Sequence, residues 1–340
     1  MPKVLVTGAS GYIAKHIILR LLRSGYHVRG SVRSPDKARA LREALAPLLP
    51  DGQVDTHLTT VPLDLMRDDG WTEAATGTDA ILHTASPFPM VQPKDPADLI
   101  APAVEGARRA IRAARDAGVT RVILTSSIAA VAETDLPPGR KSYDERDWSD
   151  TAHAGITPYS VSKTLAERAA WDMVANDAPG IALTTINPGF VIGAPLDGHY
   201  GTSLAVIERL LAARDPMLPH FGFTAVDVGD IAEMHLRALD RDATIGKRLI
   251  GAAGFLWFDD MARHLAATFP DRRIVTRRAP NVVVRLLGLF DPAIRSIVPS
   301  LGVRSEIDAS HAQDLLGLSF RDPRDSLVDT ARWLIDHGRV

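Results

Sequence analysis

The chain has 340 residues, 46% of them apolar and 24% charged, with a formal net charge of −2 and no cysteine. Those values belong to an ordinary globular protein of one large or two modest domains and exclude a disordered or fibrous chain. Near-neutral charge offers no basic face for nucleic acid, and the lack of thiols excludes disulfides, a thiolate nucleophile and cysteine-ligated zinc.

Met1-Pro2-Lys3 leads straight into Val4-Leu5-Val6 and a Thr-Gly turn, which leaves no room for the apolar region of an export signal. A cytoplasmic location is therefore expected. No apolar run reaches the ~20 residues that span a bilayer, so no membrane partner is expected either. The stretch NVVVRLLGLF at 281–290 reads as a short buried or half-buried helix.

Taken in chain order, β-rich runs at 3–6, 26–32, 56–62, 80–84, 121–125 and 181–186 alternate with helical patterns at 12–23, 36–49, 97–117 and 159–176. This alternation predicts an α/β fold with a doubly wound parallel sheet, which binds ligands beyond the carboxyl ends of its strands. After Pro188 glycine, proline and histidine crowd the chain as far as Gly222. A helix at 231–239 and a strand near 247–250 follow, and the remainder reads as helical. The expected division is 1–190 with 223–252 as the cofactor-binding domain, and 191–222 with 253–340 as a smaller, mostly helical substrate-binding region.

The turn after the first run reads Thr7-Gly8-Ala9-Ser10-Gly11-Tyr12-Ile13-Ala14. Gly8 permits a tight turn, Gly11 lets a pyrophosphate approach backbone N–H groups at a helix N-terminus, and Ala14 permits close packing of helix on strand. At the tip of the second run, where a carboxylate would bind the ribose hydroxyls of NAD, stands Arg33. A guanidinium pairs with a 2′-phosphate, so NADPH/NADP+ is the expected cofactor, with Lys37 as a second positive contact. Asp64 and Leu65 after the third run suit an adenine edge, and Thr84-Ala85-Ser86 after the fourth suits a ribose-nicotinamide unit. His83 reads as a neutral histidine packed in the sheet. No metal site is expected.

Thr157 and Pro158 are the cap and first residue of a helix that puts Tyr159 and Lys163 on one face, one turn apart. Thr125-Ser126-Ser127 ends the fifth run, at the same sheet edge as the glycine turn. A carbonyl that accepts a hydride becomes an alkoxide in need of a proton, and a phenol is a sluggish acid at neutral pH. A unit charge ~4 Å away at an effective dielectric of ~20 supplies the ~4 kcal/mol needed to lower its pKa by about three units. Lys163 is placed to supply that charge.

The motifs TGASGYIAKHI, SVRSPDK, LHTASP, VILTSSIAAV, YDERDWSD, YSVSKTLAERAAW and INPGFVIGAP together resemble the extended short-chain dehydrogenase/reductases. Within them, the chain is similar to the dihydroflavonol 4-reductase, cinnamoyl-CoA reductase and aldehyde/ketone reductase group, with a Rossmann cofactor-binding domain. The resemblance implies Tyr159 as general acid, Lys163 as its tuner and ribose ligand, and Ser127 as the hydrogen-bond donor to the carbonyl, with Ser126 pointing elsewhere. It further implies cofactor contacts from Gly8, Ser10, Gly11, Tyr12, Ile13, Thr125, the loop Pro188-Gly189-Phe190-Val191, and Ser203, and a structural role for Trp148. Ala103 stands where extended relatives carry an asparagine, and Ala132 where flavonoid reductases carry a polar contact. A smaller apolar aldehyde or ketone is thus the expected substrate, for an enzyme acting as a monomer or homodimer. The alternatives are an epimerase or dehydratase that retains tightly bound NAD, against which Arg33 argues, and a cofactor sensor without turnover, against which the retained Tyr159 and Lys163 argue.

Overall fold

The computed structural model describes residues 1–87 and 95–340. Val4 and Val6 pack into one core cluster and Leu5 into another, so Lys3–Thr7 (β1) is buried on both faces, as a central parallel strand must be. The elements that follow are α1 (Tyr12–Arg23), β2 (His27–Val32), α2 (Pro35–Leu45), α3 (Gln53–His57), β3 (Leu58–Pro62), α4 (Trp71–Ala75), β4 (Ala80–His83), α5 (Ala97–Ala117), β5 (Arg121–Thr125), α6 (Pro158–Asn176) and β6 (Ala182–Pro188). Ile17, Ile18, Leu21 and Leu22 of α1 are fully buried, each burial worth roughly 1.5–3 kcal/mol.

The second half contributes β7 (Phe190–Ile192), α7 (Thr202–Leu211), β8 (Gly222–Asp227), α8 (Val228–Asp240), β9 (Arg248–Gly251), β10 (Gly254–Trp257), α9 (Phe258–Thr268), α10 (Asn281–Leu287), α11 (Pro292–Ile297), α12 (Ser310–Leu316) and α13 (Pro323–Asp336). β9 closes a seven-stranded sheet of order β3-β2-β1-β4-β5-β6-β9, in which every pairing is parallel. Helices α1 and α8 cover one face, and α5 and α6 the other. The strand order reverses between β1 and β4, the point at which a doubly wound sheet opens a crevice for a ligand.

Four expectations are corrected. The third strand begins at Leu58, because Gly52 in left-handed geometry starts α3 over its first two expected residues. The helix expected at 36–49 leaves α geometry after Leu45 and continues as a 3-10 turn at Ala46–Leu48, since Pro47 has no N–H to give. The region beyond Pro188 is mostly helical, as expected, but it also holds a second sheet that was not expected: β7, β8 and β10 pair in the order β10-β8-β7, so 222–227 lies there and the chain returns to the large sheet only with α8 and β9. The segment 281–290 is not buried: of α10 only Val284 is enclosed, while Val282, Leu286, Leu287, Leu289 and Phe290 are exposed. Among the described residues no helix is long and apolar enough to cross a membrane.

Candidate active site

The glycine turn sits at the switch point. Gly8 has φ +65°, and a methyl at its Cα would meet Ala85 Cα at 2.9 Å, so only glycine lets the turn after β1 pass this close to the end of β4. The Gly11 amide closes the turn onto Gly8 O at 2.8 Å, and α1 then begins at Tyr12 with no side-chain cap. Its first N–H groups are thereby left for a ligand. Ser10 and Ile13 are half-buried at this turn. The Tyr12 side chain turns inward, its hydroxyl donating to Gly193 O at 2.8 Å, so Tyr12 has only its backbone to offer a cofactor.

Thr84 and Ala85 are laced to the same turn: Thr84 Oγ1 donates to Thr7 O at 2.5 Å, and both amides donate to Thr7 Oγ1 at 3.2 Å. His83 pairs with that hydroxyl through Nδ1 at 2.9 Å, and burial, then the Lys163 charge, pull it to about 3. It is a neutral sheet histidine. Arg33 stands exposed just past β2, with Lys37 half-buried in the first turn of α2. Asp64 accepts Met66 N–H at 2.8 Å, and Leu65 packs against Gly106 of α5. From the tip of β2 to that of β5 is three strand spacings, about 14 Å, which an extended dinucleotide has to bridge.

α6 opens as its sequence dictates: Thr157 Oγ1 accepts Ser160 N–H at 3.1 Å and Pro158 takes the first position. Tyr159 and Lys163 then project toward the end of β5, with the Lys163 ammonium 5.9 Å from the phenol ring centre. Ser127 caps the 3-10 turn Ile128–Ala130, and its hydroxyl is hydrogen-bonded to Tyr159 and lies 3.5 Å from Pro188 O. Serine, tyrosine and lysine thus converge at one sheet edge beside Ser86, which lines a small cavity with Lys163.

The lowering of the phenol expected from Lys163 is not found. Desolvation pushes Tyr159 up to about 12, with the Ser127 hydrogen bond pulling the other way, while burial draws Lys163 down to about 8 against the pull of Glu167. Spacing alone puts a charge beside the phenol but carries no account of what burying both groups costs. The phenol therefore keeps its proton at neutral pH, the state a donor needs.

Thr125 gives its hydroxyl to His235 Nε2 at 2.7 Å and so turns toward α8. Ser126 turns to the opposite face and donates to Glu167 Oε2 at 2.6 Å, as expected of the serine that points elsewhere. After Pro188, Gly189 N–H donates to Gly251 O at 2.9 Å, and a Cβ at Gly189 would stand 2.3 Å from Thr224 O. Val191 is buried in β7, and Ser203 is buried in the first turn of α7, beside Leu204, which shares a core cluster with Tyr12 and Val191. Trp148 carries the Arg248 guanidinium on its ring at 3.8 Å. Sequence reasoning missed Glu167, Asn187 and Arg248 behind the site. The one available signal was spacing, since Glu167 repeats the four-residue step from Tyr159 to Lys163.

A doubly wound sheet whose glycine turn faces a Ser-Tyr-Lys cluster across its carboxyl edge defines the short-chain dehydrogenase/reductase class. Residues 4–250 match the model of the NAD dependent epimerase/dehydratase family. The chain belongs to that family. It is 34% identical to cinnamoyl-CoA reductase 1 of Arabidopsis thaliana, over 99% of this chain and 90% of that protein, and 31% identical to the ketoreductase azaE of Aspergillus niger, over 99% and 98%. Among solved structures, yeast methylglyoxal/isovaleraldehyde reductase Gre2 complexed with NADPH superposes with a TM-score of 0.81 at 28% identity, covering 99% of this chain and 100% of that one.

Proposed function

We propose that this protein is an NADPH-dependent carbonyl reductase acting on small, apolar aldehydes or ketones. The observation that carries the reading is the Ser127–Tyr159 hydrogen bond beside buried Lys163, at the edge where the glycine turn opens. The uncapped start of α1 suits a pyrophosphate, and exposed Arg33 suits a 2′-phosphate. NADPH bound there supplies the hydride. Ser127 orients the carbonyl oxygen, Tyr159 gives it a proton as charge develops, and Lys163 stabilises the phenolate left behind. Phe190, next after the Gly189 turn, stacks on Phe223 at 4.1 Å and favours an apolar substrate. Three similar proteins, named as a ketoreductase, a cinnamoyl-CoA reductase and a methylglyoxal/isovaleraldehyde reductase, support a reductase reading. A cysteine-free chain suits a cytoplasmic enzyme, working as a monomer or homodimer.

The test is NADPH oxidation, followed by its absorbance, across a panel of aldehydes and ketones. Wild type should turn over. Tyr159→Phe should lose roughly 10²–10⁴-fold in kcat while binding NADPH as before, and retained turnover would remove Tyr159 from the mechanism.

A further inference from the structure

We propose that Glu167 is a positioning residue of the reaction, its carboxylate fixing Lys163 and the Ser127 backbone relative to each other through bonds to Ser126 just after β5 and to β6 and β9. The inference rests on the reductase reading above. Glu167 is fully buried one turn beyond Lys163. Its Oε1 accepts from Arg248 Nε at 2.6 Å and Thr185 Oγ1 at 3.0 Å, and its Oε2 accepts from Ser126 Oγ at 2.6 Å and Asn187 Nδ2 at 2.7 Å. The same Asn187 amide donates to Ser127 O at 3.2 Å, so one side chain links the carboxylate to the residue that faces the carbonyl. Arg248 extends the hub, donating to Ala130 O at 3.2 Å and Glu145 O at 3.0 Å. The segment leaving Ser127 is thereby held to the same carboxylate.

Stability alone is a poor reason for such a group. A buried ion pair is often matched or bettered by apolar side chains of similar volume, so its value here lies in the geometry it enforces. Lys163 and Glu167 also face one cavity of about 10 Å³, too small for an organic ligand. The other residues facing it are neutral His83 from β4, Ala85, Ser86, Leu124, Thr125 and Ser126 at the strand ends, and alanines of α5 and α6. The Tyr159 ring centre lies 5.9 Å from the ammonium, and Arg248 is paired with the carboxylate at 2.6 Å. Among the described residues Glu167 is thus the one acid lining that cavity, and its charge opposes the loss of the lysine proton.

Glu167→Gln removes the charge and keeps the shape. In the pH profile of kcat/KM for carbonyl reduction, wild type should show an alkaline limb, and the variant's limb should move to lower pH by about one unit or more. kcat at neutral pH should fall roughly tenfold with little change in KM for NADPH, whereas Glu167→Asp, which keeps the charge, should leave the limb in place. A Glu167→Gln enzyme with lowered thermal stability but an unmoved limb would overturn the proposal. If that variant does not accumulate folded, Asn187→Ala decides: kcat should fall with limb and KM unchanged, and wild-type kcat would overturn it. A wild type inactive on every carbonyl would instead defeat the reductase reading itself.

Discussion

Arg33 carries a cationic group into solvent just past the end of β2, where the proposed binding mode would put the far end of the dinucleotide. A guanidinium there holds a 2′-phosphate by charge-assisted bonds, and a carboxylate would repel it and accept ribose hydroxyls instead. Arg33→Asp should therefore invert the cofactor preference, raising KM for NADPH at least tenfold and lowering it for NADH. The ratio of kcat/KM for the two cofactors checks this. Side chains that act through local spacing, such as Tyr159, Lys163 and Gly8, were legible in the sequence because a helix turn and a strand-to-helix turn fix their neighbours. Glu167 was not legible, because its partners Asn187 and Arg248 come from strands 20 and 81 residues away.

Among the elements, the β6–β7 turn carries the largest local demand. Gly189 approaches the β8 backbone so closely that Gly189→Ala must push apart the ends of the two sheets. The expected result is a loss of about 1–3 kcal/mol, read as a thermal midpoint lower by several degrees, with kcat falling as the Pro188 carbonyl moves from Ser127. Elements of the large sheet could be read from sequence because apolar runs, punctuated by glycine and proline, repeat with a regular rhythm. The small sheet escaped that reading: its strands are three, six and four residues long, and only tertiary pairing makes them strands. α10 misled for a related reason. Its composition is that of a core helix, but within its environment only Val284 finds apolar partners, in the cluster with Ala279 and Leu301.

At the scale of the molecule, three enclosed imidazoles set the response to acid. Burial holds His83 at about 3 and His16 and His235 at about 4, so all three are neutral in the folded chain. The unfolded chain protonates them near 6.5, so their contribution is fully present above that value and is lost as pH falls toward the folded values. Each costs on the order of 1.4 kcal/mol per pH unit over that interval. The thermal midpoint should thus drop steeply between pH 6.5 and 4. His235 is the clearest contributor: Nδ1–H donates to Ile231 O at 2.7 Å, leaving Nε2 to accept from Thr125, a bond protonation would break. His235→Gln should flatten the midpoint-versus-pH curve, and an unchanged slope would take His235 out of the acid response.

Gly189 is the single residue between Pro188 of one sheet and Phe190 of the other. The sheet bearing the proposed reacting groups and the small sheet proposed to meet the rest of the substrate therefore share a seam one peptide wide. Variants meant to accept bulkier ketones would gain room by trimming or re-routing the 193–222 connection, because spreading the seam would dismantle the chemistry it was meant to serve.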